Sequence, residues 1–174
     1  MKRHIALVGF MTSGKSSVGL QLARVLNRSF YDTDVLIERK RGPIPEIFAR
    51  EGEASFRRYE TQALAEALEY EEPAVVSVGG GTLVAIRNRR MLATHAIRVF
   101  IRLSPRCAYE RLQLSSATRP LLGHAPTFEA VAALYARRLP HYAGSDFTVN
   151  ADGVTTDSIV SAVRQWVRAS RLQR

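Results

Sequence analysis

The chain has 174 residues, 46% of them hydrophobic and 24% charged, with a formal net charge of +9; that is one domain's length with a globular composition, which excludes disordered and fibrous classes. No apolar run approaches the roughly 20 residues of a membrane helix, and one cysteine, Cys107, excludes an intramolecular disulfide or a cysteine metal cluster and suits a reducing cytoplasm. The positive balance fits an anionic partner, but it is nearly all arginine spread along the chain, with Lys2, Lys15 and Lys40 as the only lysines and no basic stripe interleaved with aromatics, so nucleic acid is not the expected partner.

The run Ile5-Ala6-Leu7-Val8 reads as a buried strand. It is too short for a signal peptide and leads directly into Gly9-Phe10-Met11-Thr12-Ser13-Gly14-Lys15-Ser16, which fits G-x-x-x-x-G-K-[ST]. In such a loop glycines let backbone N–H groups face phosphate oxygens, the lysine adds a point charge at the β- and γ-phosphates, and the hydroxyl is offered to Mg²⁺. Residues 14–27 read as the helix whose N-terminal dipole faces the anion. Gly9, Met11, Thr12, Ser13, Gly14, Lys15, Ser16 and Ser17 are therefore the candidate nucleotide-binding residues.

A short strand at 29–31 ends on Asp32-Thr33-Asp34, two carboxylates at a strand's C-terminal end, where open α/β sheets bind ligands; Asp32 is also placed to cap the helix that follows over 33–41. Gly42-Pro43 and Pro45 break that helix, 46–50 reads as a short turn ending at Gly52, and 53–71 as a long amphipathic helix with Arg57-Arg58 on its first turns. Residues 74–78 are a strand buried on both faces. They run into Gly79-Gly80-Gly81, which exposes backbone to close approach by a ligand.

A short helix at 88–94 precedes a strand at 96–103. Ser104 caps the next helix, with Pro105 in its first position. Residues 112–125, which include Ser115-Ser116-Ala117-Thr118-Arg119-Pro120, have turn character and form a candidate mobile lid. A helix over 127–138, interrupted at Pro140, a last strand at 146–150 and a final helix with Ile159, Val163, Trp166 and Val167 on one face complete the chain. Strands alternating with helices give a three-layer α/β/α fold around a central five-stranded parallel sheet.

Several stretches lie in an order that resembles shikimate kinase: Phe30-Tyr31-Asp32-Thr33-Asp34, Glu46-Ile47-Phe48 with Gly52-Glu53, Phe56-Arg57-Arg58-Tyr59-Glu60, Gly79-Gly80-Gly81, Arg119-Pro120-Leu121-Leu122 and Arg138-Leu139-Pro140-His141-Tyr142. The resemblance spans nearly the whole chain. It implies a nucleoside-monophosphate-kinase-like P-loop fold and an enzyme of aromatic amino acid biosynthesis that moves the ATP γ-phosphoryl to the 3-hydroxyl of shikimate, with Mg²⁺.

On the same resemblance, Lys15, Asp34 and Arg119 are the catalytic residues, Ser16 and Asp32 serve the metal, and Asp34, Arg58, Gly80, Gly81 and Arg138 hold the acceptor, within a substrate-binding region at 33–60. Arg57 and Arg137 are read as surface residues. The chain departs from the pattern at Thr12-Ser13, where glycine and a small residue are usual, at Ile44-Pro45, and at Leu112, near the usual adenine-facing arginine; Arg111 and the 150–152 loop are the expected adenine contacts. A monomer is expected. The competing readings are a gluconate-type kinase and a non-catalytic ligand-sensing module; the latter is disfavoured because no helix-turn-helix precedes the loop and Lys15, Asp32, Asp34 and Arg119 are all present.

Overall fold

Period-two alternation in the first strand sets the layering. In β1 (His4–Val8) Ile5 and Leu7 point to one face of the sheet and Ala6 and Val8 to the other, and all five residues are buried. The computed structural model describes residues 4–115, 120–123 and 125–172. β1 lies centrally in an all-parallel sheet ordered β2-β3-β1-β4-β5, with β2 at Ser29–Asp32, β3 at Ala74–Ser77, β4 at Ala96–Arg102 and β5 at Phe147–Asn150.

On one face Ile5, Leu7, Val75, Val99 and Ile101 pack against α1 (Lys15–Leu26) through Val18 and Leu22, and against α7 (Thr156–Leu172) through Ile159 and Val163. On the other, Ala6, Val8, Val76 and Phe100 meet Leu64 and Leu68 of α3 (Ile44–Glu69) and Leu92 of α4 (Ile86–His95). Trp166 stacks on Phe147 with ring centroids 5.0 Å apart, as a core residue does. Among the described residues no helix is long and apolar enough to cross a membrane.

Register decides where the site lies. Leu7 and Asp32 both pair with Ser77, so the exits of β1, β2 and β3 stand level, and the phosphate loop, Asp32 and the glycine run emerge along one edge of the sheet.

Two expectations about prolines are corrected. The turn expected at 46–50 is helical: α3 begins at Ile44 with Pro45 in its first turn, where a missing N–H breaks no helical bond, and bends at Gly52, whose φ of 76° suits glycine. Likewise α6 (Phe128–Tyr142) continues through Pro140. The lost backbone bond is offset by the last turn's burial of Tyr142, which is 1% exposed with its ring stacked on Phe100 at 5.1 Å. The helix capped by Ser104, α5, spans Pro105–Gln113 and so overlaps the first two residues of the lid region, with Leu112 buried.

Candidate active site

The loop from Gly9 to Ser16 closes as its sequence requires. Gly9, at φ 150°, lies so near β4 that a Cβ there would stand 2.5 Å from the Ile101 carbonyl oxygen, and Gly14 precedes α1 at φ 88°. Lys15 is 9% exposed and folds back over the loop, its Nζ donating to the carbonyls of Gly9 at 3.0 Å and Phe10 at 2.8 Å. The ammonium is thus held over the loop, at the edge of the cleft.

Thr12 is the unusual member. It has φ 60°, a conformation that explains why glycine is usual here and that strains a β-branched residue by about 1–3 kcal/mol. Its hydroxyl donates to the Met11 carbonyl at 2.6 Å, and its carbonyl accepts from Arg111 Nη1 at 3.0 Å. Thr12→Gly should release the strain and, after glycine's added unfolded-state entropy, raise the unfolding midpoint by about 2–4 °C. An unchanged or lowered midpoint in a thermal melt would mean that the hydroxyl's bonds outweigh the strain.

Asp32 does two things at once. One carboxylate oxygen caps α2 (Thr33–Arg41) by accepting from the Asp34 N–H at 3.0 Å; the other accepts from Ser16 Oγ at 2.6 Å. Ser77 Oγ lies 3.5 Å from Ser16 Oγ. These are hard oxygen donors beside the phosphate loop and fit Mg²⁺, which takes one or two protein ligands and completes its shell with water and phosphate. Among the described residues no group of three or more His, Cys, Asp or Glu forms a metal cluster.

Beyond the phosphate loop the cleft, about 330 Å³, continues between α2, α3 and the glycine run, walled by Ile44, Phe48 and Phe56 on one side and Leu121 on another. Two of the three glycines leave room for functional side chains, and the third lies against the phosphate loop. A Cβ on Gly79 would stand 2.7 Å from Asp34 Oδ1, one on Gly81 would collide with the Arg57 guanidinium, and one on Gly80 would stand 3.3 Å from the Met11 nitrogen.

Arg57 therefore takes the place expected for Arg58. It borders the cleft, donating to Glu60 Oε2 at 2.6 Å and to Glu53 Oε1 at 2.7 Å. Arg58 is exposed on the next face of the helix, its Nη2 donating to Ser55 Oγ at 3.0 Å, and does not border the cleft. Burial opposes the charge of Arg57, but the Glu60 and Glu53 carboxylates more than offset it and hold the guanidinium above its ordinary pKa. Glu60, 1% exposed and accepting from Thr82 Oγ1 at 2.8 Å, anchors Arg57 and was not singled out from sequence. Its signal was the three-residue spacing from Arg57, which puts both on one helix face.

Arg138 lines the cleft. It is 5% exposed in the cleft wall, with its guanidinium 5.7 Å from the centre of the Phe10 ring. Burial pulls its pKa below the ordinary value, and the like charge of Arg57 adds to that. No carboxylate forms an ion pair with it among the described residues. Beside an Arg57 already paired with Glu53 and Glu60, Arg138 has charge to offer an anion entering the cleft.

Asp34, Gly80 and Gly81 also border the cleft, as do Met11, Thr12, Gly14, Lys15, Ser16, Ser17 and Asp32. Arg111 does not; it bridges Thr12 to the Ala151 carbonyl at 3.3 Å, joining the phosphate loop to the 150–152 loop on the nucleotide side. Arg119 lies outside the described residues, and Arg137 is exposed as expected.

A phosphate loop at the end of the central strand, with a serine–aspartate pair beside it and two arginines along the cleft, carried on this sheet order, has the features of a P-loop kinase of nucleoside-monophosphate-kinase-like fold. Comparison with known proteins narrows the class. The family described as shikimate kinase matches residues 11–168. The shikimate kinase of Moorella thermoacetica is 39% identical over 97% of this chain and 96% of its own. Among solved structures, shikimate kinase from Acinetobacter baumannii in complex with shikimate superposes with a TM-score of 0.91 at 32% identity, covering 99% of this chain and 96% of that one. The enzyme from Bacteroides thetaiotaomicron gives 0.86 at 29%, covering 95% and 98%. The chain belongs to the shikimate kinase family, the ATP-dependent kinases of shikimate.

Proposed function

We propose that this cleft transfers the ATP γ-phosphoryl to the 3-hydroxyl of shikimate with the following division of labour. The observation that supports it best is the buried Arg138 facing Arg57 beside the open glycine backbone: a small carboxylate pairs with Arg138, takes the remaining donors of Arg57, which Glu53 and Glu60 already balance, and accepts from the N–H groups of Gly80 and Gly81. Held there, the acceptor lies between the aromatic wall of Phe48 and Phe56 and the phosphate loop. Asp34 receives its hydroxyls and orients the attacking one. Little base strength is needed, because the transition state is loose and positioning carries most of the catalysis.

Lys15 moves from the loop carbonyls to the β- and γ-phosphates, and Arg119 adds its charge to the transferring group. Ser16 and Asp32 hold Mg²⁺, which when bound neutralises charge across the phosphates. Arg111 lies beside the adenine. The remaining parts of the reading are a monomer in the cytoplasm.

ADP release from ATP by the purified protein tests this, with shikimate, gluconate and nucleoside monophosphates in parallel. Turnover is expected with shikimate alone and is expected to cease on chelation of Mg²⁺ and return on its readdition. Preference for gluconate or a nucleotide would overturn the acceptor assignment, and turnover that persists under chelation would overturn the role of Ser16 and Asp32.

A further inference from the structure

The turn of α6 that persists beyond Pro140 has a consequence for the acceptor end of the cleft. It carries Tyr142 under the glycine run, where the phenol donates to the Gly80 carbonyl at 2.5 Å while the ring stacks on Phe100. Tyr142 sits one helical turn after Arg138, on the same face. Burial raises the phenol far above its ordinary pKa, against the opposing effect of the Arg138 charge, so Tyr142 stays protonated and a donor at any working pH. The phenol oxygen thereby holds the glycine side of the acceptor site, one helical turn from Arg138.

The bond acts on the backbone through peptide geometry. In a planar trans peptide the C=O and the following N–H point in opposite directions. Anchoring the Gly80 carbonyl therefore fixes the direction of the Gly81 N–H. Glycine has no side chain to fix it otherwise, and the run is the segment with the widest freedom beside the acceptor. Gly79 is held separately, its N–H donating to Thr33 Oγ1 at 3.0 Å.

We propose that Tyr142 is a positioning residue for the acceptor: its hydroxyl locks the Gly80–Gly81 peptide, and with it the direction of the Gly81 N–H, beside Arg138. The proposal rests on the shikimate reading for the identity of the anion, but not for the locking itself. Tyr142 does not border the cleft, so it acts through the groups it holds.

Tyr142→Phe tests it, since the ring and its stacking on Phe100 are kept. Two readouts are taken. Amide hydrogen exchange at Gly80 and Gly81 is expected to speed up at least tenfold beyond any change at distant core amides. The KM for shikimate is expected to rise about tenfold, with the KM for ATP within twofold. 4-Aminophenylalanine at position 142, which keeps a donor, is expected to restore both.

Unchanged exchange at the two glycines overturns the proposal whatever the activity. Faster exchange with an unchanged shikimate KM overturns the role in acceptor binding, and equal changes in both KM values mark a merely structural effect and overturn it too. If the wild-type protein ignores shikimate, the functional reading fails by that observation alone, and the exchange measurement still decides whether Tyr142 locks the loop. Should the phenylalanine variant not fold, 3-fluorotyrosine, a stronger donor of similar shape, is expected to slow exchange at Gly80 and Gly81, and no slowing overturns the lock.

Discussion

Lys15→Met should lower kcat by about 10³-fold or more while leaving the fold in place. A donor aimed at charge that develops in the transition state contributes roughly 10²–10³ in rate, and a cation on a transferring phosphoryl 10³ or more. Lys15 is pre-placed for that role, because its ammonium already sits over the loop on the Gly9 and Phe10 carbonyls and need only exchange acceptors when phosphate arrives. Methionine preserves the buried stem and fills nearly the same volume, so a large loss of stability is not expected. Steady-state kinetics with a thermal melt separates the outcomes. A kcat within tenfold of wild type in a folded variant would remove Lys15 from the chemistry, whereas a rise in the KM for ATP at constant kcat would reduce it to a binding residue.

The phosphate loop was legible because its chemistry is local. Strand, turn glycines, lysine and hydroxyl fall within thirteen residues, from His4 to Ser16, and each is fixed by its neighbours in sequence. Asp32 and Asp34 were legible for a related reason, since a strand end followed by a helix start places both carboxylates at the sheet edge. What failed depended on tertiary packing. Nothing local announces that burial of Tyr142 against Phe100 carries α6 through Pro140, or that Asp34 and Arg57 press so close to Gly79 and Gly81 that a Cβ would collide with them. Thr12 stands out in sequence as a departure, but its strain shows only in its φ angle.

The choice between two adjacent arginines was legible and misread. Arg57 precedes Leu64 by seven residues and Leu68 by eleven, two and three helical turns, which puts it in phase with the buried face; Arg58 is in phase with exposed Gln62 and Glu69. Accordingly, Arg57→Ala should raise the KM for shikimate about 100-fold, and Arg58→Ala should change it less than twofold. The first loss follows from removing one of two charge-assisted partners of the acceptor carboxylate, worth about 1.5–3 kcal/mol. Arg57→Ala should also destabilise the fold by about 3 kcal/mol, because Glu60, 1% exposed, is left as a buried carboxylate without its guanidinium. Those two effects separate in the double variant Arg57→Ala/Glu60→Gln: neutralising Glu60 should return most of the stability and none of the acceptor affinity. Recovery of both together would show that Arg57 only props the helix, and a raised KM in Arg58→Ala would return the clamp to the residue that the motif first suggested.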